Sequence, residues 1–181
     1  MNKSRLFLAA VAAGLVFAVT GCIFSQNAYI ESSEFDLSLP KFEKTVAPVS
    51  LGVFQNLSGA DSRYLVRQRD GQLVKREYLR WVMAPELLLQ RGMYGAFTVD
   101  PYGDAAQPRI GCLLYRFEFD EGAGAAKFSA EFFIELDGKR RVIRVDETEL
   151  LKGQLTGASG AAAMNACVWR AFAKLSGALK K

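Results

Sequence analysis

The chain has 181 residues, 23 Lys and Arg against 19 Asp and Glu, three cysteines and no histidine. Lack of histidine removes the usual general base at neutral pH, the usual zinc ligand and the middle member of a serine or cysteine triad. No GxSxG, Walker-type phosphate-loop or strand-borne GxGxxG signature is present, so nucleophile-elbow, phosphate-loop and dinucleotide chemistry are disfavoured too.

The amino terminus is the first informative segment. Lys3 and Arg5 precede a run of apolar, glycine and small residues over 6–19, which ends in Val19-Thr20-Gly21-Cys22. A basic, then apolar, then small-residue layout is that of an export signal, and a cysteine directly after the cut makes it a bacterial lipoprotein signal peptide. At ~1.5 Å rise per residue the run spans roughly 21 Å as a helix, short of the roughly 30 Å bilayer core. A permanent span is therefore the weaker reading. Cys22 is the expected lipidation site, carrying a diacylglyceryl thioether and palmitate-type acyl chains. Two or more such chains anchor durably, because each buried CH₂ contributes ~0.8 kcal/mol. Residue 23 is Ile rather than Asp, which favours the periplasmic side of the outer membrane over retention at the inner membrane. An ordinary cleaved signal with an incidental Cys22 is the alternative. Removal of residues 1–21 takes away Lys3 and Arg5 and no acid, leaving 21 basic (23 − 2 = 21) against 19 acidic residues. The mature chain is then nearly neutral and long enough for one domain with a single core.

Residues 22–48 read as a lipidated tether with no convincing period, interrupted by Pro40 and Pro48. Within it Phe35-Asp36-Leu37-Ser38-Leu39 alternates and predicts an edge strand ending before Pro40. The domain is expected to occupy 49–181. It opens with a core strand over 49–56, with Val49, Leu51 and Val53 inward. Segments 63–68 and 72–78 flank Asp70-Gly71, the turn dipeptide of a tight hairpin. Residues 79–92 suit a helix, with Pro85 tolerable only in its first turn or at a kink and Gly92 placed as a C-terminal cap.

The second half carries the clearest strands. Leu113, Tyr115, Phe117 and Phe119 share one face, and Arg116, Glu118 and Asp120 the other. The next strand alternates Phe128, Ala130, Phe132, Ile134 and Leu136 with Lys127, Ser129, Glu131, Phe133 and Glu135, and Asp137-Gly138 turns into a third strand over 140–149 with Ile143 and Val145 inward. From 157 to 179, Met164, Cys167, Val168, Ala171, Phe172, Leu175 and Leu179 recur at spacings of three and four, the stripe of an amphipathic helix. Antiparallel strands with one apolar face and two helices to cover it imply an α+β, two-layer sandwich: a mostly antiparallel sheet under two helices.

Three stretches carry a family resemblance: Tyr64-Leu65-Val66-Arg67-Gln68, then Gln72-Leu73-Val74, then Glu77-Tyr78-Leu79-Arg80-Trp81-Val82-Met83-Ala84-Pro85. With Tyr115-Arg116-Phe117, the turn at 122–125 and the alanine-rich last helix, they resemble the auxiliary lipoprotein component of ABC-type transport systems, the group that accompanies MCE-domain lipid transporters of the Gram-negative envelope. The resemblance covers residues 34–179. It implies an outer-membrane-anchored periplasmic lipoprotein, with no reaction and no cofactor or metal of its own, that docks a transporter or MCE-domain protein moving phospholipid or another hydrophobic molecule. It also makes a homo-oligomer plausible by analogy. Nucleic acid is disfavoured as a partner by the export signal. A lipid-carrier or envelope-assembly lipoprotein is the competing class, and a carrier would show a cavity between sheet and helices.

Single residues have two readings each. Tyr78, Arg80 and Trp81 are candidates for partner docking, because aromatic residues and Arg dominate interface hot spots. The alternative for Trp81 is burial between helix and sheet. Arg63, Arg67, Arg69, Lys75, Arg76 and Arg80 crowd one hairpin, with only Asp70 and Glu77 within it to balance them. Such a face could attract anionic headgroups or an acidic partner, or be ordinary solvated surface. Cys112 and Cys167 could meet as a disulfide in an oxidising compartment. Against that, Cys112 shares the parity of Arg116 and Glu118 and points outward unless a bulge intervenes at Gly111.

Overall fold

A long meander forms the frame of the molecule, as its alternation predicts. The computed structural model describes residues 31–38, 47–103 and 106–180. In chain order the elements are β1 (Ser33–Phe35), β2 (Ser50–Asn56), β3 (Arg63–Arg67), β4 (Leu73–Trp81), α1 (Pro85–Ala96), β5 (Arg109–Asp120), β6 (Ala125–Leu136), β7 (Lys139–Leu150) and α2 (Gly157–Leu179). The strands make one sheet in the order β1-β4-β3-β5-β6-β7, with β2 paired to β5 beside β3. The class is α+β with two helices. The sheet is mixed: both meander pairings and the β3–β4 hairpin are antiparallel, while β1–β4, β2–β5 and β3–β5 are parallel.

Turn chemistry fixes the hairpins. Asp70 Oδ1 accepts from the Gln72 N–H and Gly71 takes a left-handed φ of 88°. Asp137 and Gly138 both have positive φ, 51° and 69°, the pair of left-handed residues that a two-residue type I′ turn requires. α1 begins at Pro85, whose missing N–H costs nothing in the first turn. α2 opens with a capping box in which Thr156 and Ser159 exchange side-chain to backbone bonds of 3.1 and 2.9 Å.

Several sequence expectations change. The edge strand expected over residues 35–39 forms instead as β1, Ser33–Phe35, and pairs Phe35 with Trp81. Leu79, Arg80 and Trp81 belong to β4, not to a helix starting at 79, and α1 runs through Gly92 to Ala96. An irregularity in β2 sets Gly52 and Val53 against the single residue Gly111, so Leu51 and Phe54 face inward and Val53 is 74% exposed. A Cβ on Gly111 would stand 3.1 Å from the Val53 carbonyl oxygen, which explains glycine at that crossing. A second bulge leaves Tyr115 without a partner on β6. Parity therefore flips: Ile110, Cys112, Leu114, Phe117 and Phe119 are buried, and Tyr115, expected inward, is 43% exposed.

Inward side chains of β3 to β7 and the stripe of α2 fill the space between the layers. Tyr64, Trp81, Phe117, Phe119, Phe128, Phe132 and Phe172 are all almost fully buried. Tyr64 packs tilted against Trp81 at 4.6 Å and against Phe119 at 4.8 Å, Trp81 meets Phe117 edge to face at 5.3 Å and stacks with Phe119 at 6.3 Å, arrangements favoured by ring quadrupoles. The Tyr64 hydroxyl donates to the Gly157 carbonyl at 3.0 Å. This ties β3 to the start of α2, and burial raises the phenol above its ordinary pKa.

Candidate functional site

The β3–β4 hairpin and the adjoining end of the sheet hold the candidate surface residues. Trp81 is 2% exposed and sits in the aromatic cluster, so it is removed as a docking residue: the extended end of β4 points its ring at the helix layer. Tyr78, 50% exposed, and Arg80, half-buried with a 3.3 Å bond to the Ser62 hydroxyl, stay at the surface. Leu73, Tyr78 and Val82 are each exposed, spread along β4 and just beyond it. β1 covers only Leu79, Arg80 and Trp81 of that strand. Cys22 lies outside the described residues.

The basic crowd is largely neutralised, by Asp61 and Glu77 close in sequence and by Glu118 and Glu121 from the distant β5 segment. Asp61 accepts from Arg63 at 2.7 Å and Lys75 at 2.8 Å, and Arg63 also reaches Glu77 at 2.8 Å. The Arg63 guanidinium, assisted by Lys75 against a desolvation cost, holds the Asp61 carboxyl well below the carboxylate range. Arg67 clasps Glu118 through two bonds of 2.9 and 3.0 Å, and Arg116 stands 3.6 Å from the same carboxylate. Arg76 pairs with Glu121. Among the described residues Arg69 makes no ion pair. The pairs whose two partners are both exposed contribute only ~0–1 kcal/mol each, so their effect is to cancel the field of the hairpin; Arg69 and Arg80, the latter bonded to the Ser62 hydroxyl, are the members of the group without an ion pair among the described residues.

Beside that hairpin, at the end of the sheet where α2 begins, lies a cleft of about 700 Å³. Leu79, Phe119, Leu151 and Leu155 supply its apolar walls, with Arg69 and the Arg76–Glu121 pair at its rim. Sequence reading missed the cleft because its walls come from β4, β5 and the connection to α2. The one local signal is Gly153, whose φ of 89° turns the chain there.

Chemically the cleft can receive an apolar chain with a polar end. Among the described residues no cluster of His, Cys, Asp and Glu is arranged to hold a metal. Cys112 and Cys167 are both buried free thiols, and burial pushes each up to about 12. The disulfide alternative is thereby set aside, and the Tyr115 bulge is what turns Cys112 inward. Among the described residues no helix is long and apolar enough to cross a membrane.

No family model and no curated protein matches this chain. Solved structures do. An uncharacterized protein superposes with a TM-score of 0.64 at 15% identity, over 81% of this chain and 97% of that one. Protein XCC0632 from Xanthomonas campestris, assigned to family DUF330, superposes with a TM-score of 0.61 at 15% identity, over 81% of this chain and 95% of that one. At that identity the likeness establishes the fold, which this chain shares with them over 81% of its length.

Proposed function

We propose that this protein is a lipid-anchored envelope component, held through Cys22 at the periplasmic side of the outer membrane, that serves as a non-catalytic docking partner of an ABC-type, MCE-associated lipid transport system. The observation that supports docking over carriage is the filled layer between sheet and helices: seven large aromatic side chains occupy the space a lipid carrier would leave open. The sequence features at residues 3–22 support the anchor, and the exposed Tyr78 with the half-buried Arg80 offers a contact surface. The test is capture of the acylated protein from detergent-solubilised envelope. Recovery of an MCE-domain protein, permease or ATPase is expected, and its loss with Cys22→Ser would tie partnership to anchoring. Recovery of none of the three would defeat the reading.

One feature favours the second reading, a carrier of an apolar ligand: the cleft walled by Phe119 and Leu155. Binding of a fluorescent fatty acid by the wild-type chain, abolished by Leu155→Arg, would support carriage. Absence of binding would remove it.

A further inference from the structure

The sheet ends on β7, and among the described residues nothing pairs with its outer edge. An unpaired edge presents a row of N–H and C=O groups, and protected edges are commonly short or studded with lysine. β7 is twelve residues long, and its charge reverses along its length. Lys139, Arg140, Arg141 and Arg144 precede Val145, while Asp146, Glu147 and Glu149 follow it. A strand with that pattern repels a parallel copy of itself and attracts an antiparallel one.

We propose that β7 is a self-association edge, pairing antiparallel with β7 of a second copy about a two-fold axis through Val145. Side chains alternate between faces, so cross-strand partners must share a face. With the axis at Val145, Arg144 stands opposite Asp146 of the partner subunit on the open face. Arg141 stands opposite Glu149 of the partner subunit on the helix face. Each pairing occurs twice, as an isologous interface requires. With the axis one residue away, at Arg144, two arginines would oppose each other, so charge selects the register.

The side chains concerned are at or near the surface, and Arg141 also donates to the Ala178 carbonyl of its own α2. Arg144 is 83% exposed, although its Nε bonds Glu131 at 2.6 Å. Asp146 is exposed and makes no ion pair among the described residues. Glu149 is partly exposed and shares Arg170 with Glu147. Helix geometry agrees with the pairing. α2 packs over β6 and β7, with Cys167 against the Ala126 carbonyl and Arg170 on Glu147 and Glu149. A two-fold axis normal to the sheet keeps both copies of α2 on one face. Their axes would then lie about two strand spacings apart, roughly 9.6 Å, within the ~8–10 Å of packed helices. Ala166, Ala173 and Gly177 share the flank of Arg170, and a Cβ on Gly177 would meet nothing in its own chain. This inference does not depend on the transport reading.

The test is sedimentation of the full chain, purified from membranes in detergent, over a range of concentrations. The wild type is expected to dimerise. Arg144→Asp sets like charges at both symmetric positions and should raise Kd about tenfold, and Asp146→Arg should do the same. The double variant R144D/D146R restores opposite pairs and should recover the wild-type Kd. Both positions are exposed, and far-UV circular dichroism verifies that each variant is folded. A monomer at every concentration, an oligomer indifferent to either reversal, or a double variant no tighter than the singles would each overturn the proposal.

Discussion

Replacing Trp81 with Ala separates a core residue from a docking residue. The side chain is 2% exposed and touches Tyr64, Phe117 and Phe119. An aromatic ring of its size removes roughly 200 Å² from water, worth about 5 kcal/mol at ~25 cal/mol/Å². The denatured chain already hides part of that surface, which brings the expected loss to about 4 kcal/mol, within the ~3–5 kcal/mol range for truncating a buried aromatic residue. Against a total stability of ~5–15 kcal/mol, this is a severe defect. Urea unfolding followed by far-UV circular dichroism should show a midpoint lowered by about 2 M, for a slope of ~2 kcal/mol/M. Tyr78→Ala, in the same strand but 50% exposed, should stay within about 0.5 kcal/mol of wild type. A Trp81 variant that loses less than about 1 kcal/mol, or a Tyr78 variant that loses as much as Trp81, would refute the packing argument.

Cys112 and Cys167 should both resist maleimide in the native protein at about pH 8 and react once urea unfolds it; labelling of either in the folded state would contradict their burial. Because burial raises both thiols to about 12, the stability they lend as neutral groups is complete below their ordinary pKa of ~8.5 and declines as pH rises toward about 12. Gly160→Ala gains ~1 kcal/mol of helix propensity, but its Cβ would meet Tyr64 at 2.9 Å, Leu155 at 3.0 Å and Phe119 at 3.1 Å. A crowding cost of ~1–3 kcal/mol makes a net loss of about 1 kcal/mol the expected outcome of a thermal melt, and a gain would show that the helix start yields easily. Arg67→Ala strands the nearly buried Glu118 with only the looser Arg116 contact and should destabilise by about 2 kcal/mol. Replacing both partners, Arg67→Met with Glu118→Leu, should recover most of that loss in the same urea titration.

Where the chain obeys one local rule, the sequence sufficed. α2 spans Gly157–Leu179, as its spacing of apolar residues requires. The Asp70-Gly71 and Asp137-Gly138 turns adopt the positive φ values their residue types permit. Phe128, Ala130, Phe132 and Ile134 point inward as the period of two demands. Where two distant segments had to be reconciled, tertiary structure decided. Tyr115 looks like a core residue until the register between β5 and β6 slips by one, and an inserted residue sends the preceding part of a strand to the opposite face. Leu79, Arg80 and Trp81 suit a helix in isolation, yet β1 from more than forty residues upstream and β3 offer them sheet partners. Arg67 and Arg76 look unbalanced until β5 brings Glu118 and Glu121 beside them. Periodicity and turn propensity act within a few residues, whereas register, charge neutralisation and the end cleft depend on which segments the fold makes neighbours.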